Sequence, residues 1–229
     1  MKFIDQLKEK AKQNKKTIVL PETSDMRTIE AAGKVLAEGI ANIILVGDKE
    51  DIMSRAGDID LSGASFVDPK NYEKFDEYVD AFVEMRRKKG MTEARAKELL
   101  LTNPLYFGCM MVKQDDADGM VAGAINASAD VLRAALQTLK TAPGTRIVSA
   151  FFLVVVPDCQ YGANGTFVFA DAGLNQSPSA SELADIAEQS AKSFELLVDE
   201  TPVVAMLSHS TKGSAKHPDV DKVIEATEI

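Results

Sequence analysis

The chain has 229 residues, of which 35 are acidic and 26 are basic, so that its formal net charge is −9. A hydrophobic fraction of 45% is typical of a folded globular protein and excludes extended intrinsic disorder. The acidic balance argues against nucleic-acid binding, which requires a basic surface to neutralise phosphates.

Membrane spans, export signals and disulfide bonds are not expected either. The longest strongly apolar run, residues 151–157, is much shorter than the roughly 20 residues that cross a bilayer. Residues 1–16 are charged throughout and contain no apolar core of a signal peptide. Cys109 and Cys159 lie far apart without CxxC spacing, so we expect two reduced thiols in a cytoplasmic protein.

The first 70 residues predict alternating helices and strands. Asp25 is a suitable N-cap for a helix that lies between two β-branched strands. Such a strand–helix–strand unit implies a parallel sheet with a right-handed crossover. The predicted elements are a helix over 3–15, a strand over 17–20, a helix over 27–38, a strand over 41–46, a helix over 48–56 and a strand over 65–67.

The middle of the chain has a mainly helical pattern. Residues 103–113 are so uniformly apolar that periodicity does not distinguish a buried helix from a buried strand. The other predicted elements are a helix over 72–89 that ends at Gly90, a helix over 94–101 that begins at Thr92, a short strand over 120–124 and a helix over 127–140.

The sequence TAPGT at 141–145 is the clearest break in the pattern. It predicts two domains, residues 1–146 and residues 147–229. In the second domain, Ser179 and Glu182 have the spacing of a capping box at the start of a long helix. The predicted elements are a buried strand over 148–156, a turn over 162–165, a strand over 166–170, a helix over 179–197, a central strand over 203–207 and a helix over 219–228.

The last residues, 219–229, stop in helical pattern without a glycine or proline and without a following strand. A parallel sheet normally continues beyond its crossover helix, so we expect that part of the fold lies outside these residues. A naturally short chain has the same pattern.

Residue types that bind metals or act as nucleophiles form no strong motif. His209 and His217 have no cysteine at ligand spacing, and the GxSxG, HExxH and Walker A patterns do not occur. Asp115, Asp116 and Asp118 form a carboxylate cluster with two interpretations, a Mg²⁺ site or a solvated acidic turn. The acidic turn is favoured, and no metal site is expected.

The most informative functional signal is a loop that leads into a helix. Residues 118–124 follow a predicted strand and are followed by Asn126, Ser128 and a helix that carries Arg133. A helix N-terminus with a hydroxyl group and an arginine nearby is suited to bind an anion. Arg133 has the donor geometry to bind a phosphate through two hydrogen bonds. The alternatives are a plain helix cap for Ser128 and a solvated helix face for Arg133.

Three other segments are candidates for binding. Ligands of open α/β sheets bind beyond the carboxyl ends of the strands, where residues 169–175, with Asp171, and residues 207–214 are predicted to lie. A hydrophilic loop is the alternative for the second of these. Residues 86–89, RRKK, end a helix, where positive charge also complements the helix dipole. The candidate side chains of the 207–214 loop, with its glycine, are Ser208, Ser210, Thr211, Lys212 and Gly213.

Several short motifs occur in a specific order along nearly the whole chain. They are VLPE at 19–22 with Asp25 and Arg27, KGMT at 89–92, DGMVAGA at 118–124, AD at 129–130, LR at 132–133, LQ at 136–137, KTAPG at 140–144, FAD at 169–171 with Asn175, AMLS at 205–208 and STKGSA at 210–215. No single motif is decisive, but the ordered set resembles the phosphate acetyltransferase (phosphotransacetylase) family.

The resemblance implies an α/β fold of two three-layer αβα domains with mainly parallel sheets, similar to isocitrate and isopropylmalate dehydrogenases, and a site in the cleft between them. It implies interconversion of acetyl-CoA and phosphate with acetyl phosphate and CoA, by direct attack of the CoA thiolate in a ternary complex. It further implies a homodimer, CoA as a substrate, and no metal or other cofactor. No nucleic-acid or membrane partner is expected.

Carried over position by position, the resemblance assigns residues to the phosphate side of the site. Arg133 matches the phosphate-site arginine, and Ser128 matches a hydroxyl position before it. Asn126 stands where the family usually has histidine. A second functional arginine precedes the KGMT motif, and the spacing favours Arg86, with Arg87 the close alternative. The 208–213 loop and the FAD motif are assigned to the CoA side or the cleft.

The sequence departs from the family pattern in two ways. Asn126 and Ala127 stand where the family usually has histidine and a small hydroxyl residue, which weakens hydrogen bonding on the phosphate side, and Ala134 stands where the family usually has proline. Family chains also extend further, and that extension carries the proposed catalytic aspartate base with a serine–arginine pair and completes the first domain. The alternatives to an acetyltransferase are a butyryl-preferring phosphate acyltransferase and a non-catalytic fragment that binds phosphate or CoA, or that only pairs with a partner chain.

Overall fold

The computed structural model describes residues 3–229 and divides the chain between Lys140 and Thr141. The first unit is Met1–Lys140 and the second is Thr141–Ile229. The division falls at the start of the TAPGT segment, six residues before the predicted end of the first domain at residue 146.

In the first unit, strands and helices alternate at the start and helices predominate thereafter. The elements are α1 (Phe3–Gln13), β1 (Lys16–Leu20), α2 (Met26–Glu38), β2 (Ala41–Val46), α3 (Lys49–Ala56), β3 (Ser65–Val67), α4 (Phe75–Arg86) with a 3₁₀ turn at Arg87–Lys89, α5 (Glu93–Thr102), α6 (Pro104–Lys113), β4 (Gly119–Met120) and α7 (Ser128–Thr138).

The strands of the first unit form one parallel sheet in the order β3–β2–β1–β4. Ile18 and Val19 of β1 pair with Ile43 and Ile44 of β2, and Val19 also pairs with Met120 of β4. The predicted strand–helix–strand unit with parallel pairing is therefore confirmed. Because β1 and β4 are parallel neighbours, the loops that follow them leave the same edge of the sheet, which is the edge where ligands of this fold class bind.

Helices cover both faces of this sheet. Ile43 and Leu45 pack in a core with α2 and α3, whereas Ile44 and Val46 pack in a core with α4, α5 and α6. Successive side chains of a strand point to opposite faces, so one short apolar strand contributes to both cores. The first unit thus has the predicted three-layer αβα arrangement.

Helix α6 lies in the segment 103–113, for which periodicity did not distinguish a helix from a strand. The side chain of Asn103 accepts a hydrogen bond from Leu105 N at 3.1 Å, and Pro104 occupies the first turn, where its missing N–H removes no helical bond. A Cβ atom at Gly108 would lie 2.8 Å from the sulfur of Met120. Glycine at this position therefore allows α6 to pack closely on the sheet.

The second unit contains a two-stranded sheet and two helices. The predicted capping box is confirmed, because Ser179 N donates to Glu182 Oε2 at 2.8 Å and Glu182 N donates to Ser179 Oγ at 3.3 Å. No helix in the described part of the chain is long and apolar enough to span a membrane. The elements of this unit are β5 (Phe151–Val155), β6 (Thr166–Ala170), α8 (Ala180–Val198) and α9 (Pro218–Glu228).

Two strand predictions in the second unit are wrong. The predicted buried strand over 148–156 is the shorter strand β5, which pairs antiparallel with β6 and leaves Phe152 exposed. A two-stranded ribbon cannot bury both of its faces. The predicted strand over 203–207 is not formed within residues 3–229, and Val203 is 95% exposed. A strand needs a neighbour that takes up its backbone hydrogen bonds, and in the described residues this apolar segment has none.

Candidate active site

One buried carboxylate holds the loop that follows β4. Glu22 lies just after β1, is only 3% exposed, and accepts backbone hydrogen bonds from four consecutive residues, 123–126, at 2.6–3.1 Å. Asn126 Nδ2 donates a fifth hydrogen bond at 2.7 Å. Burial acts to raise the pKa of Glu22, but these hydrogen bonds, led by those of Asn126, outweigh it and lower the pKa to about 2. Strand β4 ends at Met120, short of the predicted residue 124, because the loop amides turn towards Glu22.

Arg27 holds the same loop from the first turn of α2. Its guanidinium donates to the carbonyl oxygen of Ala124 and makes two hydrogen bonds to Asp25, at 3.0 and 2.7 Å. Asp25 is the predicted N-cap of α2, and it accepts a hydrogen bond from Arg27 N at 2.8 Å. The hydrogen bonds from Arg27 lower the pKa of Asp25 to about 2. The loop is thus fixed through both its amide and its carbonyl groups.

Helix α7 begins directly after this loop. Its N-cap is Ala127, and no described side chain caps it, so the interpretation of Ser128 as a plain helix cap is wrong. Ser128 is the first helical residue and is exposed. A helix N-terminus without a capping side chain leaves backbone donors and a positive dipole end for an external anion.

Arg133 extends from α7 into solvent. Its Nη1 atom lies 2.5 Å from Asp130 Oδ1, three residues earlier on the same helix, and its side chain is 57% exposed. Exposed ion pairs of this kind contribute only about 0–1 kcal/mol. An incoming anion can therefore replace Asp130 at little cost.

Tyr106 of α6 contacts both helices that carry the arginines singled out by the sequence. Its hydroxyl group donates to Gln137 Oε1 on α7 at 3.2 Å, and its ring packs edge-on against Phe82 of α4 with centroids 5.8 Å apart. Burial raises the pKa of Tyr106, and the positive charges of Arg133 and Arg86 both oppose that rise. Tyr106 therefore joins the helix that carries Arg86 to the helix that carries Arg133, although these arginines are 47 positions apart in the sequence.

Arg86 and Arg87 differ sharply in their surroundings. Arg86 is half-buried, and its Nε atom is buried without a hydrogen-bond partner among residues 3–229. Arg87 is 72% exposed and pairs with Glu84 on its own helix. A buried donor without a partner costs free energy, which an anionic ligand recovers. Of the two candidate arginines, Arg86 is therefore the one with a buried donor available to an anion.

The carboxylate cluster at 115–118 is engaged with protein groups. Asp116 accepts hydrogen bonds from Lys74, Tyr78 and Tyr72, and although burial acts to raise its pKa, these bonds lower it. Asp118 accepts from Thr17 N at 2.8 Å and pairs with a neighbouring lysine. The described residues contain no cluster of side chains that could hold a metal ion. These contacts favour the interpretation as an acidic turn.

In the second unit, Asp171 organises the loop after β6. Its carboxylate accepts hydrogen bonds from Leu174 N at 2.7 Å, Asn175 Nδ2 at 2.7 Å and Ala150 N at 3.3 Å. Partial burial acts to raise the pKa of Asp171, but these bonds lower it. Asn175 Nδ2 also donates to Val148 O at 2.9 Å. The side chains of Asp171 and Asn175 therefore both fix the shape of this loop.

The 208–215 loop is a chain of short hydroxyl contacts. Ser210 N donates to Ser208 Oγ at 3.1 Å, and Ser208 Oγ in turn donates to Ser210 O at 2.9 Å. Ser210 Oγ contacts Ser214 Oγ at 3.1 Å and accepts from Ala215 N at 2.9 Å. Thr211, Lys212 and Gly213 form the exposed tip of the loop.

The first unit is thus an α/β protein with a candidate anion site at the carboxyl edge of a parallel sheet. The sequence profile of the phosphate acetyl/butaryl transferase family matches residues 2–229. The chain belongs to this family, and the resemblance drawn from the motifs is confirmed.

Relatives with known names and structures agree with this assignment. The chain is 53% identical to a phosphate acetyltransferase of Acetivibrio thermocellus and 54% identical to one of Thermoanaerobacterium thermosaccharolyticum, all 229 residues matching 69% and 70% of those proteins. Its structure is similar to the EutD phosphotransacetylase of Staphylococcus aureus, with a TM-score of 0.88 and 39% identity over 99% of this chain and 66% of the other. The chain thus spans about two thirds of the length of these three relatives.

Proposed function

We propose that this chain carries the phosphate side of a phosphate acetyltransferase, an enzyme that interconverts acetyl-CoA and phosphate with acetyl phosphate and CoA. One observation carries the proposal: Tyr106 contacts Phe82 on the helix of Arg86 and Gln137 on the helix of Arg133, and so joins the two helices that carry these arginines. Ser128 lies at the start of α7, the same helix that carries Arg133. Two cations and an uncapped helix N-terminus are the donors that a phosphate group requires.

Arg133 and Arg86 are proposed to bind the phosphate group of acetyl phosphate. A guanidinium group presents two parallel N–H donors to two phosphate oxygens, so each arginine supplies both charge and orientation. Arg133 exchanges its exposed bond with Asp130 for the phosphate. The buried Nε of Arg86 has no hydrogen-bond partner in the described structure, and bound phosphate would supply one.

The same groups assist the reaction when the phosphate leaves. The thiolate sulfur of CoA forms a bond to the acetyl carbon, and the bond from that carbon to the phosphate oxygen breaks. The electron pair of the broken bond remains on the phosphate, whose negative charge increases. Fixed cations at this oxygen stabilise the transition state more than the ground state, which is what accelerates the step.

Ser128, Asn126 and the loops of the second unit have supporting roles in this proposal. The hydroxyl group of Ser128 adds a donor to the phosphate, whereas the amide of Asn126 is engaged by Glu22 and shapes the loop before it. Lys212 at the exposed tip of the 208–215 loop supplies a cation for the phosphates of CoA, with Ser208, Ser210, Thr211 and Gly213 forming the loop. Asp171 fixes the neighbouring FAD loop. A cytoplasmic homodimer, without a metal or another cofactor, completes the proposal.

The test is thioester formation from acetyl phosphate and CoA by the full-length protein that contains these residues. The proposal predicts turnover with acetyl phosphate and a lower kcat/KM with butyryl phosphate. Preference for butyryl phosphate indicates the butyryltransferase branch of the family. Absence of turnover with either substrate contradicts the proposal and supports a non-catalytic phosphate- or CoA-binding role. The same assay of residues 1–229 alone measures what this part contributes.

A further inference from the structure

We propose that Glu22 is a positioning residue for the phosphate side of the site, acting through the 123–126 loop on the start of α7. The inference rests on the proposed function, because it concerns the same phosphate site. Glu22 itself does not touch substrate in this account. It sets the place from which Ser128 and Arg133 reach the phosphate.

The geometry makes Glu22 the organising centre of the loop. Oε2 accepts from Gly123 N at 2.6 Å and Ala124 N at 2.7 Å, and Oε1 accepts from Ile125 N at 3.1 Å and Asn126 N at 2.8 Å. Four consecutive backbone amides thus converge on one carboxylate. The last of them belongs to the residue just before the N-cap of α7.

Apolar packing cannot replace this carboxylate. The side chain of Ile125 is 56% exposed, and nothing lies within 4 Å of the position that a Cβ atom would take at Gly123. Gly123 also has a φ of +108°, a conformation that side chains disfavour. With its one large apolar side chain mostly exposed, the loop is held through its hydrogen bonds to Glu22 and through the bond from Arg27 to Ala124 O.

Glu22 is well placed to transmit position, because its own backbone is fixed. It follows directly on strand β1, whose last residue, Leu20, is buried in the core. A buried carboxylate is costly unless it is fully hydrogen-bonded, so the amides and the carboxylate depend on each other. The four amides of the loop already donate to Glu22 and are not available to a phosphate. An incoming phosphate is therefore left with Ser128, the arginines and the start of α7 as donors.

The experiment is Glu22→Gln in the full-length protein, with steady-state kinetics and amide hydrogen exchange. The neutral amide cannot accept at both positions as the carboxylate does, so the loop loosens. We expect the KM for acetyl phosphate to rise about tenfold or more, since small misplacements of binding groups are costly. The KM for CoA should stay within about twofold, and the amides of 123–126 should exchange faster.

Two further variants separate positioning from general stability. Asp48→Ala removes the side chain that caps α3 without touching the loop, so it should lower the melting temperature and leave both KM values unchanged. Glu22→Asp keeps the charge but shortens the side chain, so its KM for acetyl phosphate should lie above that of the wild type and below that of Glu22→Gln. If Glu22→Gln does not fold, the rise above the wild-type KM in Glu22→Asp is the test.

The outcomes distinguish the inference from the function on which it rests. An inactive wild-type protein overturns the proposed function and this inference with it. An active wild type with an unchanged KM for acetyl phosphate in Glu22→Gln, or in Glu22→Asp where Glu22→Gln does not fold, overturns the inference alone. Equal rises in the KM values for acetyl phosphate and CoA also overturn it, because they indicate a general loss of structure.

Discussion

The hydroxyl group of Tyr106 donates a hydrogen bond to Oε1 of Gln137 at 3.2 Å, and this bond joins α6 to α7 one helical turn beyond Arg133. Residues four apart on a helix lie on the same face, so Gln137 and Arg133 face the same side of α7. On the other side, the ring of Tyr106 packs on Phe82, one turn before Arg86. Tyr106 thus connects the two helices that carry the candidate phosphate ligands.

Replacing Tyr106 with phenylalanine tests this connection. Tyr106→Phe retains the ring packing but removes the bond to Gln137, whose net contribution is about 0.5–1.5 kcal/mol. We expect a few-fold rise in the KM for acetyl phosphate and a stability loss of about 1 kcal/mol, measured by kinetics and urea unfolding. Tyr72→Phe, which removes a bond to Asp116, is the matched control and should change stability only. A change in acetyl phosphate KM that is equal in both variants contradicts the role of Tyr106.

The two neighbouring arginines at the end of α4 should differ in effect. Arg86→Ala removes a half-buried cation whose Nε has no hydrogen-bond partner in the described residues, whereas Arg87→Ala removes an exposed side chain paired with Glu84. A charge-assisted hydrogen bond is worth about 1.5–3 kcal/mol, so kcat/KM should fall about 10- to 100-fold in Arg86→Ala. The decrease in Arg87→Ala should be at least about tenfold smaller. The reverse order would show that the spacing to Gly90 was misread.

Glu22 should make the stability of the protein sensitive to acid. Its pKa is lowered from an ordinary value of 4.5 to about 2, so the ionised carboxylate stabilises the folded state. The contribution is fully present above about pH 4.5 and is lost as the pH falls towards 2, because the unfolded state binds the proton first. The difference in unfolding free energy between wild type and Glu22→Gln should therefore shrink between pH 5 and pH 2.5. A difference that is independent of pH in this range contradicts the lowered pKa.

The sequence correctly predicted those secondary-structure elements that are determined by residues close together in the chain. The β-branched runs of β1 and β2, the Asp25 cap and the capping box at Ser179 each depend on neighbouring residues, and each was predicted correctly. Local residues, Asn103 and Pro104, also indicate that α6 is a helix and not a strand, but periodicity alone did not reveal this.

The remainder depends on contacts between distant residues. Residues 203–207 have the composition of a strand, yet strand formation requires a partner that composition does not specify. The VLPE motif marked Glu22 as noteworthy, but its role arises from amides 101 or more positions away. Tyr106 was missed because only the packing of α6 brings it into contact with α4 and α7, the helices that carry Arg86 and Arg133. The arginine-containing motifs are the sequence signals that point to Arg86 and Arg133 as candidate phosphate ligands.

In the proposed function, Arg133 binds the phosphate group during acetyl transfer. The most direct measurement is kcat/KM for acetyl phosphate in full-length wild type and Arg133→Ala, together with the melting temperature of each. Loss of two charge-assisted hydrogen bonds predicts a decrease of about 100-fold or more. The exposed bond to Asp130 contributes about 0–1 kcal/mol, so the melting temperature should change little. An Arg133→Ala protein with the kcat/KM of the wild type would contradict the assignment of the site.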